Sequence, residues 1–426
     1  MQATNLKFLL PALRSRNYRL FFAGQGISLI GTWMTQLATV WLVYHLTNSA
    51  LMLGVVGFTS QIPNLLLTPF GGVFADRCSR HRILIGTQVL AMVQSLTLAG
   101  LALSGVIQIW HILGLSLLQG VINAVDAPAR QVFVTELVDR QEDLANAIAI
   151  NSTMFNGARL IGPAIGGLLI AQVGEAYCFL IDGLSYIAVI MALFAMRFKP
   201  KQIRRLAGNP LQIIKEGFDY AFSCPPIRAI LLLSSLVSLM GMQYTVLVPV
   251  FADKILSGNA QTLGFLMAAS GIGALAGGIY LVSRTTVIGL GKLIIIGPAI
   301  LGIGLIIFAL SRFLPLSLLA MSLIGLGTIL QIAAGNTVLQ TIVDDDKRGR
   351  VMSLYTMSFL GITPFGSLLG GSLAERIGAT DTLIIAGIAC ILGSLFFSRQ
   401  LPALKKIVYE IYQRKGIDLG AETGGN

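Results

Sequence analysis

Three ionisable residues sit inside long apolar runs: Asp126 toward the end of 108–129, Arg159 near the middle of 144–171, and Asp182 in the first part of 177–196. A charge at the centre of a bilayer costs about 2.5–3.5 kcal/mol on insertion scales, so a charge retained there is a candidate for function. Arg159 could attract an anionic group or tune a neighbouring carboxyl, with Asp126 or Asp182 as the acid. A purely structural ion pair is the alternative. Uncharged polar residues recur in such runs: Gln25, Gln36, Gln61, Asn123, Asn156, Gln331 and Asn336, with Tyr244 as an aromatic among them. Those sharing a face could line a polar cavity for coupling or substrate binding; the others would hydrogen-bond between helices. A further cluster is compact. Gly72-Val73-Phe74-Ala75-Asp76-Arg77-Cys78-Ser79-Arg80-His81-Arg82 lies between 50–75 and 83–104. Its charges could set topology alone, or they could also act in gating.

These residues are positioned by a scaffold built for lipid. Hydrophobic residues make up 55% of the chain and charged ones 12%, against roughly 25% charged in a soluble protein. Runs of about 18 apolar residues read as transmembrane helices. Twelve are predicted, at 19–46, 50–75, 83–104, 108–129, 144–171, 177–196, 229–252, 261–283, 292–311, 314–337, 351–373 and 381–398. The fold class is an all-α integral membrane protein; the short alternating segments of a transmembrane barrel are absent.

The net charge of +11 has its meaning in where the cations lie. Apart from Arg159 within a span and Lys254, Arg312 and Arg376 on one side, every Lys and Arg falls on the other side. That bias predicts both termini in the cytoplasm, and it assigns the charge to anionic lipid rather than nucleic acid. Leu6–Leu10 is too short and too closely followed by Pro11 and arginines for a secretory signal.

Residues 201–228 form the longest polar connection, with Leu211, Ile214, Phe218 and Phe222 at helical spacing after Pro210. An amphipathic surface helix is expected there, and a weaker one in the tail at Leu404, Ile407, Val408 and Ile411. The domains are thus 1–200, the linker 201–228, 229–400 and the tail 401–426. The halves repeat: Leu53-Gly54 answers Leu263-Gly264, Gly71-Gly72 answers Gly277-Gly278, and Val138-Asp139 with Gly162-Pro163 and Gly166-Gly167 answers Val343-Asp344 with Pro364, Gly366 and Gly370-Gly371. Two six-helix bundles related by a parallel repeat form the architecture of a two-bundle carrier, with its substrate site near the midplane. Pro63, Pro69, Pro163, Pro249, Pro298 and Pro364 could kink their helices.

Several chemistries are excluded. Gly289-Leu290-Gly291-Lys292 lacks the first Gly of a phosphate loop and continues with Leu293. Without a nucleotide domain, ATP-driven transport by this chain alone is not expected. Cys78, Cys178, Cys224 and Cys390 show no metal-ligand spacing. No nucleophile–base pairing suggests an enzyme, and neither a cofactor nor a metal is expected.

Gly72-x-x-x-Asp76-Arg77-x-Ser79-Arg80-His81-Arg82 resembles the signature loop of the major facilitator superfamily, with Ser79 where Gly is usual. Gly157…Gly162-Pro163-x-x-Gly166-Gly167 resembles the span-five antiporter signature of its drug–proton exporters. Asn17-Tyr18-Arg19…Ser28-x-x-Gly31, Thr47-x-Ser49 and Arg348-Gly349-Arg350-Val351-Met352-Ser353 are similar to the enterobactin-exporter-like branch, which includes multidrug efflux proteins. One position departs: in the span-four pattern R-x-x-Q-G, Ser116 stands where Arg is usual, before Gln119-Gly120. The resemblance implies a secondary active exporter of siderophore or drug-like amphiphiles, proton-driven and working by alternating access as a monomer in the cytoplasmic membrane. With the usual Arg absent, Arg159 with Asp126 or Asp182 becomes the coupling candidate. The resemblance also places Asp76 against the start of span eleven. Gly72, Asp76, Arg77, Arg80, Arg82 and Asp126 would then form a latch, with Arg80 paired to Asp126. The runner-up functions are a lipid or lysophospholipid translocator and a non-transporting sensor.

Overall fold

The computed structural model describes residues 11–414 except 139, 197–209, 285 and 346, with side chains at 69, 72, 73, 75–77, 141 and 210–216 left undescribed. Twelve of the described helices are long and apolar enough to cross a membrane. They are α1 (Arg16–Thr47), α2 (Ala50–Arg77), α3 (Arg80–Leu103), α4 (Ile109–Glu136), α5 (Leu144–Val173) and α6 (Glu175–Ala195). After the shorter α7 (Pro210–Ser223) come α8 (Pro225–Ile255), α9 (Ala260–Val282), α10 (Leu290–Leu310), α11 (Leu314–Ile342), α12 (Arg348–Ile377) and α13 (Ala379–Arg414). In lipid the backbone has no partner but itself, so the apolar runs become helices. Helix α4 continues past the expected end at 129 to Glu136, carrying Pro128 within it.

The turns between helices follow from particular residues. The Thr47-x-Ser49 motif builds the α1–α2 corner: Ser49 Oγ accepts from the Met52 amide at 3.3 Å, and Thr47 Oγ1 accepts from the Ser49 amide at 3.3 Å. Gly174 and Gly378 turn the α5–α6 and α12–α13 corners at φ +92° and +90°, a region open to Gly at little cost.

The chain divides into two compact units. The first comprises the chain up to Leu206 together with Pro249–Ala268; the second comprises Ala207–Val248 and the chain from Ala269 onward. The end of α8 and the start of α9 therefore group with the first six spans.

Each unit is held by seams of small residues, which let backbones approach where no hydrophobic drive separates helix from lipid. In the first unit, a Cβ on Gly120 would stand 2.5 Å from the Ser60 carbonyl of α2, and one on Gly162 would stand 2.5 Å from Trp33 Cβ of α1. Gly166 packs on Met34, while Gly167 packs on the α9 backbone at Ala260 and Gly264. The second unit repeats the device. Gly325 meets the Ser270 carbonyl of α9, a Cβ on Gly366 would lie 2.7 Å from the Leu239 carbonyl, and one on Gly370 would lie 2.8 Å from Gln243 Cβ. The α2–α4 and α1–α5 contacts of the first unit thus have counterparts in α9–α11 and α8–α12. Gly157 of the span-five motif has open space around it.

Two helices carry wide π-helical turns, at Val237–Gly241 and Phe251–Ile255 in α8 and at Met357–Gly361 in α12. Pro364 and Pro249 lie beside two of them. The Ser238 hydroxyl donates to the Phe359 carbonyl at 2.5 Å, joining the irregular turns of the two helices.

The linker helix forms, but Leu211 and Ile214 lie outside the described side chains. Phe218 is exposed and stacks on Phe222 with ring centroids 4.2 Å apart. The helix also docks on its own unit. Gly217 packs on Arg350, Ala221 is buried, and the Tyr220 hydroxyl donates to Asp344 Oδ2 at 3.0 Å. Burial pushes the Tyr220 phenol above its ordinary range, keeping it a donor. The tail differs from the expected surface-hugging segment. Helix α13 runs unbroken to Arg414, and Leu404 and Tyr412 are buried in the core of the second unit.

A polar cavity in the first unit as candidate functional site

The first unit lines an open cavity of about 630 Å³. Helix α1 contributes Gln25 and Thr32, α3 Gln88, and α4 Gln119, Asn123, Asp126 and Arg130. Phe155 of α5 and Tyr186 of α6 complete the wall. The strongest feature is Asp126, which is 2% exposed. Its Oδ1 accepts from Thr87 Oγ1 at 2.7 Å and Gln88 Nε2 at 3.0 Å, and its Oδ2 pairs with the Arg130 guanidinium. One helical turn separates acid and base on α4, the spacing at which side chains meet. A carboxylate so buried persists because every contact it makes is a donor.

Arg130 lies one residue beyond the expected end of the fourth span at 129, where a loop would hold it, yet the helix runs on to Glu136. Its continuation through Pro128 is what brings Arg130 one turn from Asp126. Three buried polar atoms of the wall make no hydrogen bond: Gln88 Oε1, Gln119 Oε1 and Arg130 Nε. Buried polar atoms are rarely left so.

Asp182 stands behind this wall. It is 1% exposed, and Ser95 Oγ donates to its Oδ2 at 2.7 Å. Its Oδ1 makes no hydrogen bond, although the Thr32 and Thr35 hydroxyls are its polar neighbours. Gly31 makes room for the carboxyl: a Cβ there would come within 2.8 Å of Oδ1. Thr32 Oγ1 lies 3.5 Å from the Tyr186 hydroxyl, and both residues line the cavity. Thr32 is thus both a neighbour of the buried carboxyl and part of the cavity wall.

Arg159 departs from expectation. Among the described residues it pairs with neither Asp126 nor Asp182; its guanidinium lies 5.7 Å from the centroid of Trp33. Both acids are engaged elsewhere, and the π-face supplies the partner. Trp33 meets Phe155 edge-on at 5.8 Å, and of these three residues only Phe155 lines the cavity. Arg80 is likewise corrected: it pairs with Glu136 at 2.5 Å, not with Asp126. Arg82 is exposed. The side chains of Gly72, Asp76 and Arg77, and residue 346 of the expected counterpart, lie outside the described residues.

Of the other candidates, Gln25 and Asn123 line the cavity and the rest do not. Asn156 donates to the Ser152 carbonyl of its own helix at 2.9 Å, and Gln36 is exposed. Gln61 is half-buried outside the lining. In the second unit, Gln331 is fully buried and donates to Ser234 Oγ at 2.8 Å. The Tyr244 hydroxyl is 3.3 Å from Ser270 Oγ, and Asn336 accepts from Gln340. The Gln331 and Tyr244 contacts are interhelical, whereas Asn336 and Gln340 lie one turn apart on α11. Of the span-five signature, Gly162 and Gly166 pack against α1, and Gly167 and the Pro163 carbonyl pack against α9.

Twelve apolar helices, with a charged pair and unpaired amides held around a polar cavity, define a membrane carrier. The chain belongs to the transmembrane secretion effector family of major facilitator superfamily transporters, whose model matches residues 9–414. It is 28% identical to the staphyloferrin A transporter of Staphylococcus aureus over 88% of this chain and 94% of that one. It is 25% identical to the multidrug efflux pump Tap of Mycolicibacterium fortuitum over 87% and 90%. In fold it matches a bacterial homologue of the human lysosomal transporter Spinster, with a TM-score of 0.70 and 14% identity over 94% of this chain and 98% of that one. It is a transporter, not an enzyme, and a multi-pass protein of the cell membrane.

Proposed function

We propose that the protein is a proton-coupled exporter of small siderophore-like or drug-like amphiphiles, working by alternating access as a monomer with both termini cytoplasmic. The observation that carries this reading is the Asp126–Arg130 pair set in the cavity wall among unpaired amide oxygens. A substrate with both donors and acceptors would exchange with these groups, while Phe155 and Tyr186 would take its apolar part. The efflux and siderophore transporters among the relatives support the direction and substrate class.

Asp182 is assigned the proton. A carboxylate with a buried, unbonded oxygen is uncompensated, whereas a protonated carboxyl is not. Thr32 and Tyr186 connect it to the substrate wall. Proton gain and substrate binding would then compete, so that protonation favours substrate release.

The test is efflux in everted vesicles under an imposed pH gradient, with a hydroxycarboxylate siderophore and a cationic dye as probes. Asp126→Asn and Arg130→Gln are expected to cut transport by tenfold or more at normal membrane levels. Wild-type rates for both probes in both variants would remove the cavity from the mechanism.

A further inference from the structure

The second unit holds a cavity that the transport reading leaves unused. It measures about 370 Å³ and lies among the ends of α9 and α11, the starts of α8 and α10, and the tail of α13. Its depth is apolar, with Ile230, Leu293, Val338 and Phe397. Three cations also line it: Arg284 at the end of α9, Lys292 in the first turn of α10, and Lys405 on the tail. No acid lines it, and among the described residues none of the three is in a salt bridge. Arg284 donates to the Ile288 carbonyl at 2.8 Å, and Lys405 has only the Tyr409 ring, 4.9 Å away.

We propose that this cavity binds an anionic phospholipid of the cytoplasmic leaflet, with its phosphate among Arg284, Lys292 and Lys405 and the start of its acyl chain along Ile230, Leu293 and Phe397. Three unneutralised cations repel one another, and one anion relieves all three. A small soluble anion would leave the apolar wall without a partner; a phospholipid satisfies both parts. Tyr412 and Leu404 are buried in the same cluster, so the lipid would tie the tail to the bundle. The leaflet assignment rests on the orientation proposed above, but the binding itself is read independently of orientation and of transport.

The experiment uses the purified full-length chain in neutral detergent. It is titrated with phosphatidylglycerol, phosphatidylcholine or inorganic phosphate, and followed by native mass spectrometry and thermal unfolding. Phosphatidylglycerol is expected to bind saturably and raise Tm, with the other two having little effect. Each of Lys292→Gln and Lys405→Gln should weaken binding by about fivefold, the effect of one cation beside an anionic lipid. Lys292→Arg with Lys405→Arg should retain binding, and Arg399→Gln, an exposed cation outside the cavity, should not matter. Lys405 is exposed, so its single variant keeps the test open if changes at Lys292 impair folding. Equal binding of the two lipids, stabilisation by phosphate alone, or unchanged affinity in Lys405→Gln would each overturn the proposal. If lipid binding fails while Asp126-dependent efflux persists, only this inference falls.

Discussion

The tasks proposed for the two buried carboxyls differ, and substitution should separate them. Asp182→Asn removes the titratable group while keeping much of the shape that Gly31 admits. Gradient-driven accumulation should fall at least tenfold, while substrate exchange across a vesicle without a gradient persists. Accumulation against a gradient in that variant would take the proton from Asp182. At Asp126 the question is coupling. Asp126→Asn strands Arg130, and Arg130→Gln strands Asp126, so each should destabilise the protein by about 1–3 kcal/mol. The double variant is expected to be less damaging than the sum of the singles. Additive losses in thermal unfolding would mean that the pair has no mutual dependence. For Arg159, contact through Trp33 predicts a modest effect. Arg159→Gln should slow transport by up to about fivefold, the scale of one cation–π contact, with insertion intact. At this scale the sequence revealed which charges lay in lipid but not their partners. Trp33 as the partner of Arg159 depends on how α1 packs on α5, and no spacing within either helix encodes that.

Among elements, the small-residue seams decide where helices lie. Gly162→Val and Gly366→Val place bulk against Trp33 and against the Leu239 carbonyl, at equivalent contacts of the two units. Both should sharply lower folded protein recovered from membranes, whereas Gly157→Val, in open space, should not. Equal recovery of all three would contradict the packing role. Helix existence was legible because lipid forces long apolar runs into one form. The end of α4 was not, since Arg130 looks polar until Asp126 is seen to neutralise it. The π turns of α8 and α12 were only hinted at by Pro249 and Pro364. At Val237–Gly241 no proline intervenes, and the turn is where Ser238 bonds to Phe359 of the neighbouring helix.

For the whole molecule, the repeat visible in the sequence extends to the contacts that each unit makes within itself. Gly120 meets α2 at Ser60, and Gly325 meets α9 at Ser270. The same distance further along each helix, the first half has Asp126 and the second has Gln331. Arg130 likewise corresponds to Gly335, which packs against the Tyr355 hydroxyl. The two halves share this position, yet only the first carries a charge there; the second has a neutral bond to Ser234. The burden of a buried ion pair, and the freedom to alter it, therefore fell on one copy. Selection for a new cargo in the laboratory should accordingly gather substitutions on α1, α3 and α4, leaving Gln331 and its neighbours unchanged.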